Sequence, residues 1–248
     1  VGSCVALMKR EHHRWYSSRL GRDMELLVFG HAGARILAFP TRCGRFYDFE
    51  NMGMVDSLRP HLEQGWLQMI CVDSIDQETF YCNWCDPRSR IQRHMQYEDY
   101  ILHEVMPLGQ QINNNPYSMV LGCSFGAYHA VNVALRHPQR FNRVVAFSGR
   151  YDLTSTPDGF RNLFDGYYDE QIYFNMPNHY LCHLHDPNWL DAIRRLDIKL
   201  VIGEYDPFLE DNRRLSDSLW EKGAWHQFRV WSGRAHGYRR WREMAGCF

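Results

Sequence analysis

In Gly122-Cys123-Ser124-Phe125-Gly126, a serine stands at the centre of a G-x-S-x-G motif. Residues 118–121 (Ser-Met-Val-Leu) form a short apolar run before it, and residues 127–135, rich in helix formers, follow it. A serine at a strand-to-helix junction is forced into a sharp turn that lifts its hydroxyl clear of the sheet's C-terminal edge. The glycines let strand and helix approach closely, and the helix N-terminus aims free N–H groups at any anion formed there. This suits nucleophilic attack on an acyl carbon. A serine hydroxyl is a poor nucleophile at neutral pH, so a base must stand beside it, with an acid to orient that base.

Two later loops supply candidates. Residues 199–202 read as an apolar strand broken by Gly203, and Asp206 lies in the loop at its C-terminal end, where ligand-contacting residues collect in open parallel sheets. Pro207 fixes the turn after it. Glu204 competes, because it follows the strand directly; Asp206 is favoured. The base is expected to be His236, in a loop framed by Gly233 and Gly237 after the short strand 228–231. Other histidines are less well placed. His12 and His13 precede the sheet, His129 reads as a core or surface residue of the helix after Ser124, and His183 and His185 form a pair with no third ligand. The chain order Ser124, Asp206, His236 is that of an α/β-hydrolase. One oxyanion-hole donor is expected from the backbone N–H of Phe125. A second is expected from loop 41–45, after the strand 34–40, with Gly44 or Arg45 as the donor. This chemistry needs neither a metal nor an organic cofactor.

The elements needed to hold these residues can be read along the chain. Residues 12–17 and 24–29 suggest antiparallel strands, and strands at 36–40, 66–72, 119–122, 143–147, 199–202 and 228–231 follow. Helices are expected at 54–64, 90–105 and 211–222, the second with Tyr97, Tyr100, Ile101 and Val105 on one face at helical spacing. Strands alternating with helices imply a mostly parallel sheet with right-handed crossovers. Residues 152–188 fit no sheet element and carry many aromatics, Phe160, Phe164 and Tyr180 among them, so they are expected to form a cap-like insertion within a single α/β domain spanning 1–248.

With 248 residues, 45% hydrophobic and 23% charged, the composition is that of a globular domain. A net charge of −1 offers no basic field for nucleic acid. No apolar run approaches the ~20 residues of a membrane span. The stretch 1–10 places its charges after a short apolar run, the reverse of a secretory leader, so a cytoplasmic location is expected. Eight scattered cysteines, in a chain large enough to need no staples, read as thiols. Cys82 and Cys85 have C-x-x-C spacing but lack the second pair or thioredoxin-like flanks that would give them a special role.

The elbow Gly122-Cys-Ser-Phe-Gly-Ala-Tyr-His-Ala130 resembles the putative esterase family of the α/β-hydrolase superfamily, which includes esterase D, S-formylglutathione hydrolases and antigen 85-type mycolyltransferases. Ser148-Gly-Arg-Tyr-Asp152 resembles the segment after that family's next strand, Asp206-Pro-Phe-Leu209 its acid loop and Arg234-Ala-His-Gly237 its histidine loop. The resemblance runs from about residue 36 to 241. It implies Ser124, Asp206 and His236 as a triad acting on acyl esters. A serine carboxylesterase for small-molecule, short-chain esters is the leading expectation. An acyltransferase on the same triad and a non-catalytic binding protein of the same fold are the alternatives, and exposed aromatics would suit a homo-oligomer interface as well as a pocket.

Overall fold

Apolar side chains on both faces of the central strands require cover on both sides, and the chain supplies it as helices around one sheet. The computed structural model describes residues 8–247; the apolar start on which the leader reading rests lies outside them. The strands are β1 (Arg10–Ser17), β2 (Arg22–Phe29), β3 (Ala34–Phe39), β4 (Leu67–Val72), β5 (Ser118–Cys123), β6 (Arg143–Phe147), β7 (Asp197–Gly203) and β8 (His226–Trp231). They form a sheet in the order β1-β2-β4-β3-β5-β6-β7-β8. β1–β2 and β2–β4 pair antiparallel, and all other pairs are parallel. This is the α/β fold expected from the sequence, with its antiparallel N-terminal strands.

Alternate residues of each strand feed opposite layers. Leu37, Phe39, Val120, Val144 and Leu200 pack under the helices Pro87–Tyr100, Phe125–Arg136 and Leu209–Glu221. Ile36, Ala38, Leu121, Val145 and Val201 pack on the other face with Phe49, Leu62, Trp241 and Met244. Parallel register aligns the C-terminal ends of the strands: Phe39 sits opposite Gly122, and Cys123 opposite Phe147. Loops from distant parts of the sequence therefore meet at one edge.

Three local expectations are corrected. The helix expected at 54–64 is two short ones, Met54–Ser57 and Arg59–Glu63. Pro60 has no N–H to return to the carbonyl of Asp56, so the helix breaks at Leu58. The helix expected at 90–105 starts at Pro87, capped by the Asp86 carboxylate accepting from Ser89 N, and runs through a π-helical turn at Ile101–Val105 into Met106–Ile112. Cys82 and Cys85 are not thiols but a disulfide: the turns at 81–85 bring their Cα atoms to 5.4 Å, within bridging range. Cys43, Cys71, Cys123, Cys182 and Cys247 are free. Among the described residues no helix is long and apolar enough to cross a membrane.

A buried polar knot pins two helices together. Glu98 accepts hydrogen bonds from Arg136 Nε at 3.0 Å and from His137 Nε2 at 2.8 Å. Burial alone would raise the Glu98 pKa, but the His137 hydrogen bond and the Arg136 charge prevail and hold it at about 2. Such a depressed carboxyl stabilises the fold above its ordinary value of 4.5, and that contribution fades as pH falls toward 2. Nearby His94, pushed down to about 3 by burial and by His129, stays neutral in the fold while the unfolded chain takes up a proton below 6.5, which again favours unfolding in acid. Thermal melts should therefore show stability falling from pH 6.5 to 3. Glu98→Gln should cost about 3 kcal/mol at pH 7, because it leaves Arg136 buried without a counter-charge. It should also flatten the melting-temperature profile below pH 4.5; an unchanged profile would remove Glu98 from this role.

Candidate active site

The elbow is built by what two residues lack. A Cβ on Gly126 would lie 2.2 Å from the carbonyl oxygens of Phe39 and Pro40, and one on Gly122 would lie 2.0 Å from Gly126 O. Only glycine lets the helix Phe125–Arg136 seat its first turn against the ends of β3 and β5. Ser124, between them, takes φ 55° and ψ −118°, a left-handed backbone pose disfavoured for an L-residue. It is fixed by its own N–H, which donates to Phe147 O at 2.8 Å.

The candidate base and acid, His236 and Asp206, arrive on the loops after β8 and β7. Ser124 Oγ lies 2.9 Å from His236 Nε2, and His236 Nδ1 lies 2.7 Å from Asp206 Oδ2. A carboxylate can only accept, so Nδ1 carries the ring proton and Nε2 is free to accept from the serine hydroxyl. The other oxygen, Asp206 Oδ1, accepts from Phe208 N at 3.0 Å. The Asp206 side chain is fully buried, whereas His236 keeps 24% of its side chain exposed. Trp241 packs edge-on against the imidazole at 5.3 Å and donates Nε1–H to Ser148 Oγ at 3.2 Å. Gly203 allows the acid and histidine loops to touch: a Cβ there would lie 2.7 Å from Ala235 N. Glu204, the competing acid, accepts from Gly233 N at 3.0 Å and so supports the histidine loop.

The structure differs from expectation on the oxyanion side. Phe125 lines the cavity beside Ser124, but Gly44 and Arg45 do not. Gly44 N donates to Thr41 O at 2.8 Å and Arg45 N to Asp48 Oδ2 at 2.9 Å, so both amides are committed inside their own turn. Thr41 and Arg42 line the cavity instead, and no backbone carbonyl among the described residues accepts from either amide. The position just past Pro40, at the strand's end, was the available signal. This loop is clamped from behind. Asp76 Oδ2 accepts from Cys43 N at 2.8 Å, and Asp76 Oδ1 accepts from His129 Nε2 at 2.9 Å, on the elbow helix. His129 is thus the buried core residue that the sequence suggested, with a positioning contact that the sequence did not reveal.

The cavity over Ser124 measures about 420 Å³. Phe160 of the 152–188 insertion lines it, together with Phe208, Tyr81 and Tyr238. The rest of the insertion packs elsewhere: Phe164 lies beneath, among Phe80, Phe125 and Tyr128, and Tyr180 joins the main core. Burial raises the Tyr81 and Tyr238 phenols to about 12, so neither is ionised near neutrality. Among the described residues no cluster of three or more His, Cys, Asp or Glu could hold a metal ion. If Asp76 holds the 41–43 loop in register with the elbow, Asp76→Asn should lower kcat by a factor of order 100, since ångström-scale misplacement costs that much, with KM little changed. A rise in KM alone would assign Asp76 to substrate binding instead.

Residues 66–243 match the family model described as "Putative esterase". A search of curated proteins found no match. Among solved structures, a ferulic acid esterase is similar at TM-score 0.76 and 16% identity, over 96% of this chain and 94% of that one. S-formylglutathione hydrolases from Staphylococcus aureus (TM-score 0.70, 17% identity, 97% and 94% covered) and Agrobacterium tumefaciens (0.71, 15%, 97% and 92%) share the fold. With the family model matched over most of its length, the chain belongs to the putative esterase family of α/β-hydrolases and is a carboxylesterase.

Proposed function

We propose that Ser124, His236 and Asp206 form the catalytic triad of this esterase and that it hydrolyses short-chain esters of small alcohols through an acyl-enzyme. One observation carries the reading: the continuous chain from Ser124 Oγ to His236 Nε2 at 2.9 Å and from His236 Nδ1 to Asp206 at 2.7 Å, at the floor of a cavity. His236 takes the serine proton as Oγ attacks the ester carbonyl, then passes it to the departing alcohol. Water, deprotonated by the same imidazole, releases the acid. Asp206 holds the tautomer and stabilises the imidazolium. The Phe125 amide and those of Thr41 and Arg42 are the donors for the oxyanion. The aromatic walls and the size of the cavity favour a short acyl chain, and the partial exposure of His236 favours water as the acceptor over a second alcohol.

Ser124→Ala should lower kcat on 4-nitrophenyl acetate and butyrate by about 10⁶ without altering the melt, and should abolish labelling by a fluorophosphonate probe; retained turnover would place the nucleophile elsewhere. Asp206→Asn should lower kcat by roughly 10⁴ through the wrong histidine tautomer, whereas Glu204→Gln should change it only a few-fold. The reverse ranking would make Glu204 the acid. Across 4-nitrophenyl esters, kcat/KM should peak at two to four acyl carbons, as estimated from a cavity of about 420 Å³; a maximum at eight or more would refute the short-chain assignment.

A further inference from the structure

The cavity over Ser124 carries positive charge that no carboxylate among the described residues pairs with directly. Arg150, three residues beyond β6, is only 3% exposed and lines this cavity. Its Nη2 donates to Ser155 O at 2.6 Å and Arg161 O at 2.8 Å. Phe160 and Phe208 rings lie 5.8 and 5.9 Å from its Cζ. Its Nε is buried without a hydrogen-bond partner, and no carboxylate among the described residues forms an ion pair with it. Arg42, exposed on the same cavity, lies 5.4 Å from the Tyr81 ring and is likewise without a carboxylate. Arg234 and Arg239 flank His236 in the adjoining hollow, and neither forms an ion pair among the described residues. No Asp or Glu lines either hollow. Some other buried or half-buried arginines are paired, Arg90 with Asp165 and Arg136 with Glu98, whereas Arg35 shares with Arg150 a buried Nε without a partner but does not line this cavity.

Burying a guanidinium without a counter-charge is costly. Carbonyl bonds to one nitrogen explain how Arg150 is held, but not why its remaining donors lack acceptors. A carboxylate, the anion that small esters most readily carry, matches the planar fork of a guanidinium, and the pairing gains strength in a partly desolvated site. We propose that this esterase selects anionic esters, substrates whose acyl or alcohol part carries a carboxylate that docks on Arg150 and Arg42. The inference rests on the ester-hydrolase reading above. The carboxylate takes no part in the bond changes: Oγ displaces the alcohol, which leaves with the His236 proton, and water releases the acid.

Two matched pairs test it and separate the two sides of the ester. Mono-4-nitrophenyl adipate against its methyl ester places the charge on the acyl side. 4-Acetoxybenzoate against its methyl ester places it on the alcohol side. With uncatalysed rates subtracted, kcat/KM should be about 10- to 100-fold higher for the anionic member of one pair, the gain of a hydrogen bond to a charged group. The preference should shrink with added salt and fall toward unity in Arg150→Met. Because Arg150 also braces the 153–161 loop, Arg42→Met serves as the second variant and should reduce the same ratio. Ratios at or below one in both pairs, or ratios unmoved by both variants, overturn the proposal. So does failure to turn over any of the four esters by a protein whose Ser124 is labelled by fluorophosphonate. Absence of both labelling and turnover would instead overturn the hydrolase reading itself.

Discussion

The backbone contact between the first turn of the elbow helix and the end of β3 governs the rest of the site. At Gly126 two carbonyl oxygens, those of Phe39 and Pro40, occupy the space that any side chain would need. This contact sets how far the helix N-terminus advances along the sheet, and with it the position of the Phe125 amide. It also brings loop 41–43 alongside, so that residues from two separate elements line one cavity. The unfavourable φ of Ser124 costs about 1–2 kcal/mol, and the fully buried β5 and elbow helix on either side are what hold it.

Polar groups in the interior extend that control outward. Asp76 joins the loop after β3 to the elbow helix through Cys43 and His129. Arg90 reaches from its own helix to the carbonyls of Cys82 and Leu163 and to the Asp165 carboxylate, tying the disulfide loop to the 152–188 segment that carries Phe160. The cavity walls are therefore fixed by directional bonds as well as by apolar packing. Buried polar groups hold a single arrangement well when every partner is present.

Much of this was readable from residue order. Strands covered on both faces are continuous apolar runs, so the C-terminal ends of β5 and β7 could be located, with Ser124 and Asp206 just beyond them; His236 follows β8, a short strand of alternating character. Gly44 and Arg45 were misassigned for a physical reason. Their turn closes on itself through Thr41 O and Asp48, contacts that no periodicity encodes. Pro60 stands inside the segment 54–64 that reads as one helix, and the structure divides it there. Arg150 was invisible as a site because arginine is ordinarily a surface residue, and only the folded packing shows it enclosed. Scattered cysteines in a chain of this size read as thiols, and the Cys82–Cys85 bridge depends on the local turn that closes the C-x-x-C spacing.

The sheet order has a consequence for how activity and structure are coupled. His236 hangs from the loop after β8, an edge strand bonded on one side only to β7 and largely open to solvent. Edge elements open at lower free energy than the centre of a sheet. Fraying of β8 would carry off the imidazole while β3 to β7 stayed paired, leaving an intact elbow with an inert hydroxyl. With His236 as the proposed base, turnover would report the integrity of that edge before any global probe registers a change.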